Sequence, residues 1–509
     1  MKKFLAVILA LVMALSLAAC VQVTTQEQGA DTEPKDEAPA ATDPADWPVL
    51  KLDIAPAADM HAQEDVQKAV NEYLVSINAG IQVEFVCIEF SQRGTVLTNM
   101  LTDSSNPIDL YTSRWYSNVP SLVKNDQCIS LEAYRETYPE LFTMFPEQVY
   151  KALQVNGEQY ALPVADAFGG FMVYVMRKDI AEEIGVADLA DTKITEEQLD
   201  EMLAKAEEAH PEMSWVNDNN QPKLEKVDNL GDDNALGVLM NYGVGEKEIV
   251  NYYETEEWAD YIERCKRWAD SGYYIDDPVN SFVIPGDAVN NGMMGGYFNE
   301  VYSMDYCHAL MRNLNPNLEM VVFQLSDSYC SNSNVGAGWL ISSISKHPDE
   351  AMKLLNLLYT DATLATFMGV GIEGQQYTVD ENGCAWYAEG VDASNSGWHC
   401  GAPWFYPNQT LMPPFNTDYV DYYNDIVKFW SNTDKTFSDG MGFIFDSSKV
   451  NDQYMACASI VGQYRKNLLF GQVDVEETNK KFIDELKENG IDEVIAEMNA
   501  QYAEFLANK

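Results

Sequence analysis

The chain has 509 residues, of which 46% are hydrophobic and 11% aromatic, and its formal net charge at pH 7 is −48. Nucleic acids and anionic polymers bind through neutralisation of their charge by Lys and Arg. A chain this acidic therefore argues against them and against a phosphorylated ligand, leaving a neutral or cationic one. The length exceeds what one hydrophobic core ordinarily holds, which predicts two lobes.

The chain begins with the pattern of a secretory signal. Lys2 and Lys3 precede an unbroken apolar stretch at residues 4–15, which is too short to span a membrane. The following Leu17-Ala18-Ala19-Cys20 resembles the bacterial lipobox, a resemblance that implies cleavage before Cys20 and diacylation of its thiol. We therefore expect residues 1–19 to be a lipoprotein signal peptide.

Residues 20–48 are predicted to be the lipid anchor and a disordered tether. Gln, Thr, Glu, Asp, Ala and Pro dominate this segment. Such a composition buries too little apolar surface to offset the conformational entropy lost on folding. The ordered part of the chain is expected to begin at Trp47-Pro48.

From Val49 onward, predicted strands and helices alternate. The predicted elements are strands at residues 50–54, 81–90 and 108–111, separated by amphipathic helices at residues 63–77 and 95–101. This βαβαβ order favours a parallel sheet with helical crossovers. Ligands of such sheets bind beyond the carboxyl ends of the strands, where Arg114 and Trp115 follow the third strand.

Turn and helix-capping signals divide the next part of the chain. Asn156-Gly157 predicts a hairpin turn, Gly185 a helix end, and Thr195-Glu196-Glu197-Gln198 a capping box. Further helices are predicted at residues 256–270, from Pro348, and at the C-terminus as a pair separated by Asn489-Gly490. The apolar positions of the last helix share one face, so we expect it to pack onto the fold.

Four groups of residues resemble the extracellular solute-binding proteins of carbohydrate ABC importers, the family 1 type. Two groups are similar to the chain crossings between that family's lobes, and two are typical of its Gram-positive lipoprotein subgroup. In chain order, the groups are residues 156–163 with 173–179, residues 336–340 with 346–352, residues 371–383, and residues 482–506. Their order and spacing carry the resemblance.

The resemblance implies an α/β, two-lobed periplasmic-binding-protein-like fold, in which each lobe is a mainly parallel sheet flanked by helices and the ligand cleft lies between the lobes. Lobe 1 is expected at residues 49–165 plus 335–400, and lobe 2 at residues 166–334 plus 401–509. The resemblance further implies a monomer that is lipid-anchored at the extracellular face of the cell membrane. Such a protein delivers mono- or oligosaccharides to separate permease subunits.

Motifs for catalysis, metals and cofactors find little support. The G-x-G-x-x-G match at residues 369–374 follows a predicted helix and precedes a predicted strand, the reverse of what pyrophosphate binding needs. The five histidines are scattered, and neither H-E-x-x-H, C-x-x-C nor G-x-S-x-G occurs. We therefore expect no metal, no cofactor and no enzymatic activity.

The cysteines other than Cys20 have long and irregular spacings. They show no framework of a small disulfide-stapled domain, and several, such as Cys87, lie in apolar runs. An extracytoplasmic location permits pairing, but the sequence favours free buried thiols over a full disulfide set.

Aromatic residues in polar or glycine-rich surroundings are the most informative feature for ligand binding. A sugar presents an apolar C–H face and a polar hydroxyl rim, so its site needs flat rings and side chains that form paired hydrogen bonds. The predicted ligand-contacting residues are Arg114, Trp115, Asp166, Tyr297, Asn299, Glu300, Trp339, Glu373, Trp404 and Tyr406. The alternative for each Trp is packing, which is favoured for Trp339. Glu373 has the alternative of capping a helix, and Arg114 that of pairing with an acid.

These observations predict the substrate-binding component of an ABC importer, which captures a neutral carbohydrate, expected to be an oligosaccharide, between its lobes. Two alternatives stay open. The same fold binding a peptide or a polyamine would suit the negative charge. A surface glycan-degrading enzyme would share the lipobox, the acidity and the aromatics, but it needs a catalytic constellation that the sequence does not reveal.

Overall fold

The computed structural model describes residues 43–54, 60–89, 92–114, 117–166, 168–217, 224–281, 283–315, 317–335, 337–392, 395–398, 405–431 and 436–508. The predicted signal peptide, Cys20 and most of the predicted tether lie outside these residues. In the part of the chain that is described, no helix is both long enough and apolar enough to cross a membrane.

Strands and helices alternate along most of the described chain. The strands are β1 (Val49–Ile54), β2 (Gln82–Cys87), β3 (Leu110–Ser113), β4 (Gln154–Val155), β5 (Glu158–Gln159), β6 (Leu162–Pro163), β7 (Phe171–Arg177), β8 (Gly237–Val238), β9 (Val250–Asn251), β10 (Gly296–Val301), β11 (Met320–Gln324), β12 (Gly338–Ile341), β13 (Tyr377–Val379) and β14 (Ala385–Tyr387). The helices are α1 (Gln63–Ser76), α2 (Arg93–Met100), α3 (Val119–Lys124), α4 (Glu147–Lys151), α5 (Lys178–Glu183), α6 (Glu196–Ala209), α7 (Glu256–Asp270), α8 (Pro285–Asn290), α9 (Met304–Leu314), α10 (Pro348–Thr360), α11 (Ala362–Gly369), α12 (Tyr419–Ser431), α13 (Asn451–Leu469), α14 (Val475–Glu488) and α15 (Ile491–Ala507).

The first sheet has the strand order β2-β1-β3-β12-β6. β1 pairs in parallel with β2 and β3, which confirms the predicted βαβαβ unit. Helix α1 forms because Val66, Val70 and Leu74 recur at helical spacing, and all three are buried on one face. β12 returns late in the chain and pairs antiparallel with β3 and β6. We call the part of the molecule built on this sheet the first lobe.

The second sheet has the order β10-β7-β11, and both pairings are antiparallel. The prediction of a mainly parallel sheet in each lobe is therefore wrong for these three strands. All positions of β7 from Phe171 to Met176 are buried. A strand buried on both faces reads as a continuous apolar run whatever the direction of its neighbours, so the sequence pattern carries no information on direction. We call the part built on this sheet, with the C-terminal helices, the second lobe.

The C-terminal helices α13, α14 and α15 form a separate core with α7. Trp258 on α7 is 1% exposed and donates from Nε1 to Asn479 Oδ1 at 2.9 Å. Phe482 on α14 packs edge-on against Tyr253, with ring centroids 4.7 Å apart. The predicted break between the last two helices is confirmed, since Gly490 has a φ of 91°. The final helix packs onto the fold, as its apolar face predicts.

Several local predictions are confirmed. Asn156 and Gly157 both have positive φ and join β4 to β5 as a hairpin turn. Thr195 and Gln198 form the predicted capping box of α6. Helix α11 precedes the glycine-rich residues 369–374 and strand β13 follows them, which excludes a dinucleotide-binding turn. The described cysteines are free thiols, and most are buried.

The predicted lobe boundary between residues 400 and 401 remains a prediction. Tyr406 and Met412, assigned from sequence to lobe 2, lie in the hydrophobic core of the first sheet. Met441 lies in the same core, whereas Phe443, two residues later, lies in the core of the C-terminal helices. The segment around residue 442 therefore contributes side chains to both lobes.

Candidate functional site

Three chain segments run side by side between the two lobes. The first follows β6 at residues 164–166 and 168–170, the second follows β11 at residues 325–335, and the third comprises residues 405–431 and 436–443. Isolated β-bridges join them at Ala165–Asn408, Gly170–Tyr329 and Cys330–Phe437. Side chains from both lobes meet beside these crossings, so this region is the candidate site.

The edge of the first lobe contributes Arg114, which directly follows β3. Its guanidinium carbon lies 4.9 Å from the ring centroid of Phe405. On the same ring, also at 4.9 Å, lies the guanidinium of Arg93, which is fully buried and paired with Asp53. Burial raises the pKa of Asp53 above its usual value, although the charge of Arg93 and the hydrogen bond from Arg93 act in the opposite direction. The carboxylate of Asp53 also accepts hydrogen bonds from Thr112.

The edge of the second lobe contributes Glu300 and Tyr302 at the end of β10. Glu300 is exposed, and a Cβ added to Gly170 would lie 2.7 Å from its Oε1. Glycine at 170 therefore lets the first crossing pass close to this carboxylate. Asn299 is half-buried and, one residue away, points to the opposite face of the sheet.

Electrostatic interactions connect the two edges. Burial raises the pKa of the Tyr302 hydroxyl, and the charges of Asp166 and Glu300 raise it further, whereas Arg114 lowers it. Arg114 comes from the first lobe, Asp166 from the first crossing, and Tyr302 and Glu300 from the second lobe. One cation and two carboxylates, from both lobes and the first crossing, thus lie near enough to the Tyr302 hydroxyl to act on it electrostatically.

An aromatic cluster on helix α12 flanks this group. The rings of Tyr306 and Tyr422 lie 4.5 Å apart, and the Tyr422 hydroxyl donates to Asp166 Oδ1 at 3.0 Å. Trp430 donates from Nε1 to the Asp166 carbonyl at 3.2 Å and packs edge-on against Phe145 of the first lobe at 4.9 Å. Helix α12 therefore contacts both lobes and the first crossing.

The family model for bacterial extracellular solute-binding proteins matches residues 68–373, more than half of the chain. The chain belongs to this family. A second model, a domain of unknown function (DUF3502), matches residues 439–507, which include the C-terminal helices. A carbohydrate ABC transporter substrate-binding protein from Streptococcus pneumoniae serotype 4 is 22% identical over 482 residues, covering 92% of this chain and 93% of the relative.

Solved structures share the fold of this solute-binding protein. The N-glycan transport solute binding protein from Streptococcus pneumoniae is 19% identical and superimposes with a TM-score of 0.79, covering 91% of this chain and 99% of the other. The structure of the same protein in complex with Man5GlcNAc gives a TM-score of 0.71 at the same identity and coverage. An HMO-binding, ABC-transporter-associated solute binding protein from Bifidobacterium longum infantis is 13% identical, with a TM-score of 0.57, and the match covers 90% of this chain and 99% of that chain.

The structure of this solute-binding protein brings together only part of the predicted site. Arg114, Asp166 and Glu300 all lie near enough to Tyr302 to act on its hydroxyl electrostatically, and Asn299 precedes Glu300 on β10. Trp115 and Trp404 lie outside the described residues. Their predicted contact with ligand stays a prediction.

Four other predicted residues lie elsewhere in this solute-binding protein. Tyr297 is 2% exposed and its hydroxyl lies 3.0 Å from the sulfur of Met311, in the core of the second sheet. Trp339 and Tyr406 are buried in the core of the first sheet. For Trp339 this is the packing alternative that the sequence favoured. Glu373 is exposed and pairs through its backbone with Tyr377 beside β13.

Sequence reasoning missed Phe405, Tyr302, Tyr422 and Trp430. Tyr422 and Trp430 lie on a helix, whereas the predicted aromatic contacts lie mainly in polar or glycine-rich surroundings. The signal was present in Tyr419, Tyr422 and Tyr423, which recur at helical spacing on one amphipathic helix. Phe405 lies between Trp404 and Tyr406, both of which were selected, and no local feature distinguished it.

Proposed function

We propose that this solute-binding protein is the lipid-anchored, extracytoplasmic substrate-binding component of a carbohydrate ABC importer. It captures a neutral oligosaccharide between its lobes and delivers it to permease subunits in the membrane. The observation that carries the proposal is the group formed by Arg114, Asp166, Glu300 and Tyr302 beside the crossings. Asp166 accepts a hydrogen bond from Tyr422, Glu300 lies against Gly170, and Arg114 lies over the ring of Phe405, while Arg114, Asp166 and Glu300 all act electrostatically on Tyr302.

The chemistry of this group suits a sugar. Arg114 offers parallel N–H donors, and the carboxylates of Asp166 and Glu300 accept hydrogen bonds from hydroxyl pairs. The ring of Tyr302, next to the Tyr306–Tyr422 pair, provides apolar surface beside these polar groups. The relative named as a carbohydrate transporter component, and the neighbour crystallised with Man5GlcNAc, support the same ligand class.

Binding without catalysis is part of the proposal. Closure of the lobes on a ligand needs only that the closed form binds it more tightly than the open form does. The lipobox ending at Cys20 supports membrane attachment through lipid. A polyamine or a cationic peptide is the second candidate, because two carboxylates face the site and the chain carries a charge of −48.

The test is a thermal-shift screen of the mature protein against neutral oligosaccharides including Man5GlcNAc, acidic oligosaccharides, basic peptides and polyamines, followed by calorimetry. A ligand that binds only the native state stabilises it by about 2.7 kcal/mol at a hundredfold excess over Kd. Arg114→Met should weaken binding and reduce the shift, whereas Arg177→Met, which removes an arginine paired with Asp179 outside the site, should leave the shift unchanged. A shift with polyamines alone, lost at moderate salt, would replace the sugar proposal with the second candidate.

A further inference from the structure

The ring of Phe405 lies against two guanidinium groups at one edge of the first lobe. The guanidinium carbons of Arg93 and Arg114 are each 4.9 Å from its ring centroid. Phe405 itself is only 5% exposed. The face of an aromatic ring attracts a cation through its quadrupole, and more strongly where water is excluded. A single buried ring thus holds two arginines from different elements, one on α2 and one after β3.

The two arginines have different surroundings. Arg93 is fully buried, pairs with Asp53, and donates to the carbonyls of Ile54 at 3.3 Å and Ile88 at 3.0 Å. Its position is therefore fixed by the ends of β1 and β2. Arg114 is half-buried and interacts electrostatically with Tyr302 of the second lobe. The fully buried Arg93 fixes one side of the ring, and the half-buried Arg114 belongs to the site between the lobes.

The backbone around Phe405 is also fixed. Its carbonyl accepts a hydrogen bond from Trp339 Nε1 at 3.3 Å. Two residues later, the carbonyl of Pro407 accepts from the Ala165 amide at 2.8 Å, and Gln409 Nε2 donates to the Ala165 carbonyl at 2.8 Å. Phe405 is thus tied to β12 on one side and to the first crossing, next to Asp166, on the other.

We infer that Phe405 is a positioning residue for ligand recognition, whose ring holds the Arg114 guanidinium in the orientation that binds adjacent hydroxyls of a neutral sugar. The inference rests on the proposed function. An arginine side chain loses rotamer freedom when it binds, and a ring that already restrains it reduces that loss. The planar guanidinium also directs two parallel N–H groups, so its orientation decides which pair of acceptors it reaches. This assigns Trp339, predicted from sequence as a ligand contact, to supporting Phe405.

A double-mutant cycle on the mature protein tests the inference, with Man5GlcNAc as the probe in calorimetry. Phe405→Leu is expected to weaken binding about tenfold in the wild-type background, the scale of a desolvated cation–ring contact. The same substitution should have almost no further effect on Kd in an Arg114→Met background, because it acts through Arg114. Phe405→Tyr, which keeps the ring, should restore affinity. Independent, additive losses would overturn the inference while leaving the proposed function intact.

The same cycle has a readout that needs no ligand. If the ring and the guanidinium are in contact, the double variant should lower the unfolding midpoint by less than the sum of the decreases caused by Phe405→Leu and Arg114→Met alone. Phe482→Leu is the matched control, because Phe482 is also buried but lies in the core of the C-terminal helices, away from the crossings. It should lower the midpoint additively with Arg114→Met and leave affinity unchanged. If the midpoint decreases caused by Phe405→Leu and Arg114→Met were additive, the inference would be overturned. If wild-type protein bound no sugar of any kind, the proposed function would fail and this role with it.

Discussion

The hydroxyl of Tyr422 donates a hydrogen bond of 3.0 Å to Asp166 Oδ1, across 256 residues of sequence. Tyr422 lies on α12 and Asp166 lies in the first crossing between the lobes. Burial, followed by the charge of Asp166, raises the pKa of the Tyr422 hydroxyl well above its usual range, so it stays protonated and able to donate. This bond joins the tyrosine-rich helix to the segment about which the lobes are connected.

Removal of this hydroxyl should weaken the attachment of α12. Tyr422→Phe keeps the ring contact with Tyr306 but removes a buried hydrogen bond to a carboxylate, a loss that typically costs ~1–3 kcal/mol. The free energy of unfolding in urea measures the loss. Tyr423→Phe is the control, since no hydrogen bond of its hydroxyl is seen among the described residues. Equal effects of the two substitutions would contradict a role for the bond to Asp166.

Gly169 in the first crossing should not tolerate a side chain. Its φ of 101° is unfavourable for other residues, and an added Cβ would lie 2.8 Å from the backbone oxygen of Tyr329 in the second crossing. We expect Gly169→Ala to destabilise the protein by about 2 kcal/mol or more and to lower ligand affinity by displacing the crossing. Thermal unfolding and calorimetry measure the two effects.

The control for that substitution is Gly157→Ala in the hairpin between β4 and β5. Gly157 has a similar φ of 82°, but nothing lies within 4 Å of an added Cβ. It therefore reports the backbone cost alone, of roughly 1 kcal/mol. If Gly169→Ala cost no more than Gly157→Ala, the close approach of the two crossings would not restrict side chains there.

The core of the C-terminal helices should contribute to stability but not to ligand contact. Phe482 is fully buried against Tyr253, Trp258 and Tyr464. Phe482→Ala removes a large side chain from this core and should cost about 3–5 kcal/mol. Chemical denaturation measures that loss, and calorimetry on the folded fraction should give an unchanged Kd. A changed Kd at full folding would instead show that this core influences the ligand site.

His210 should make stability depend on pH near neutrality. It lies 3.0 Å from Glu183 and 3.3 Å from Glu212. Partial burial lowers its pKa, but the hydrogen bonds and charges of these two carboxylates outweigh burial and raise it overall. A histidine whose pKa is higher in the folded state stabilises the fold fully below the unfolded value of about 6.5, and loses this contribution as pH rises through the folded value.

His210→Gln should therefore reduce the free energy of unfolding at pH 5.5 and have little effect at pH 8.5. The difference should stay below ~1 kcal/mol because the pairs are close to solvent. Urea unfolding at both pH values measures it. His347→Gln serves as the comparison, since its nearest carboxylate, Glu350, is 3.9 Å away. A larger loss at pH 8.5 than at pH 5.5 would reverse the sign and contradict the assignment.

Local patterns in the sequence were sufficient to determine much of the secondary structure. The apolar spacing of α1, the capping box of Thr195 and Gln198, and the turn at Asn156-Gly157 depend on neighbouring residues, whose preferences persist in any tertiary context. The order of strands and helices up to β3 likewise determined a parallel unit, with Arg114 directly after its third strand.

Tertiary structure alone decided the directions of β10 and β11 and the composition of the site. Arg93, Arg114 and Phe405 meet although they are distant in sequence, and so do Asp166 and Tyr422. Local periodicity specifies which face of an element is buried, but not which distant element buries it. That choice depends on how the three crossings bring the lobes together, which no single segment encodes. Tyr297 and Trp339 were consequently predicted at the site, whereas packing placed them in the cores behind it.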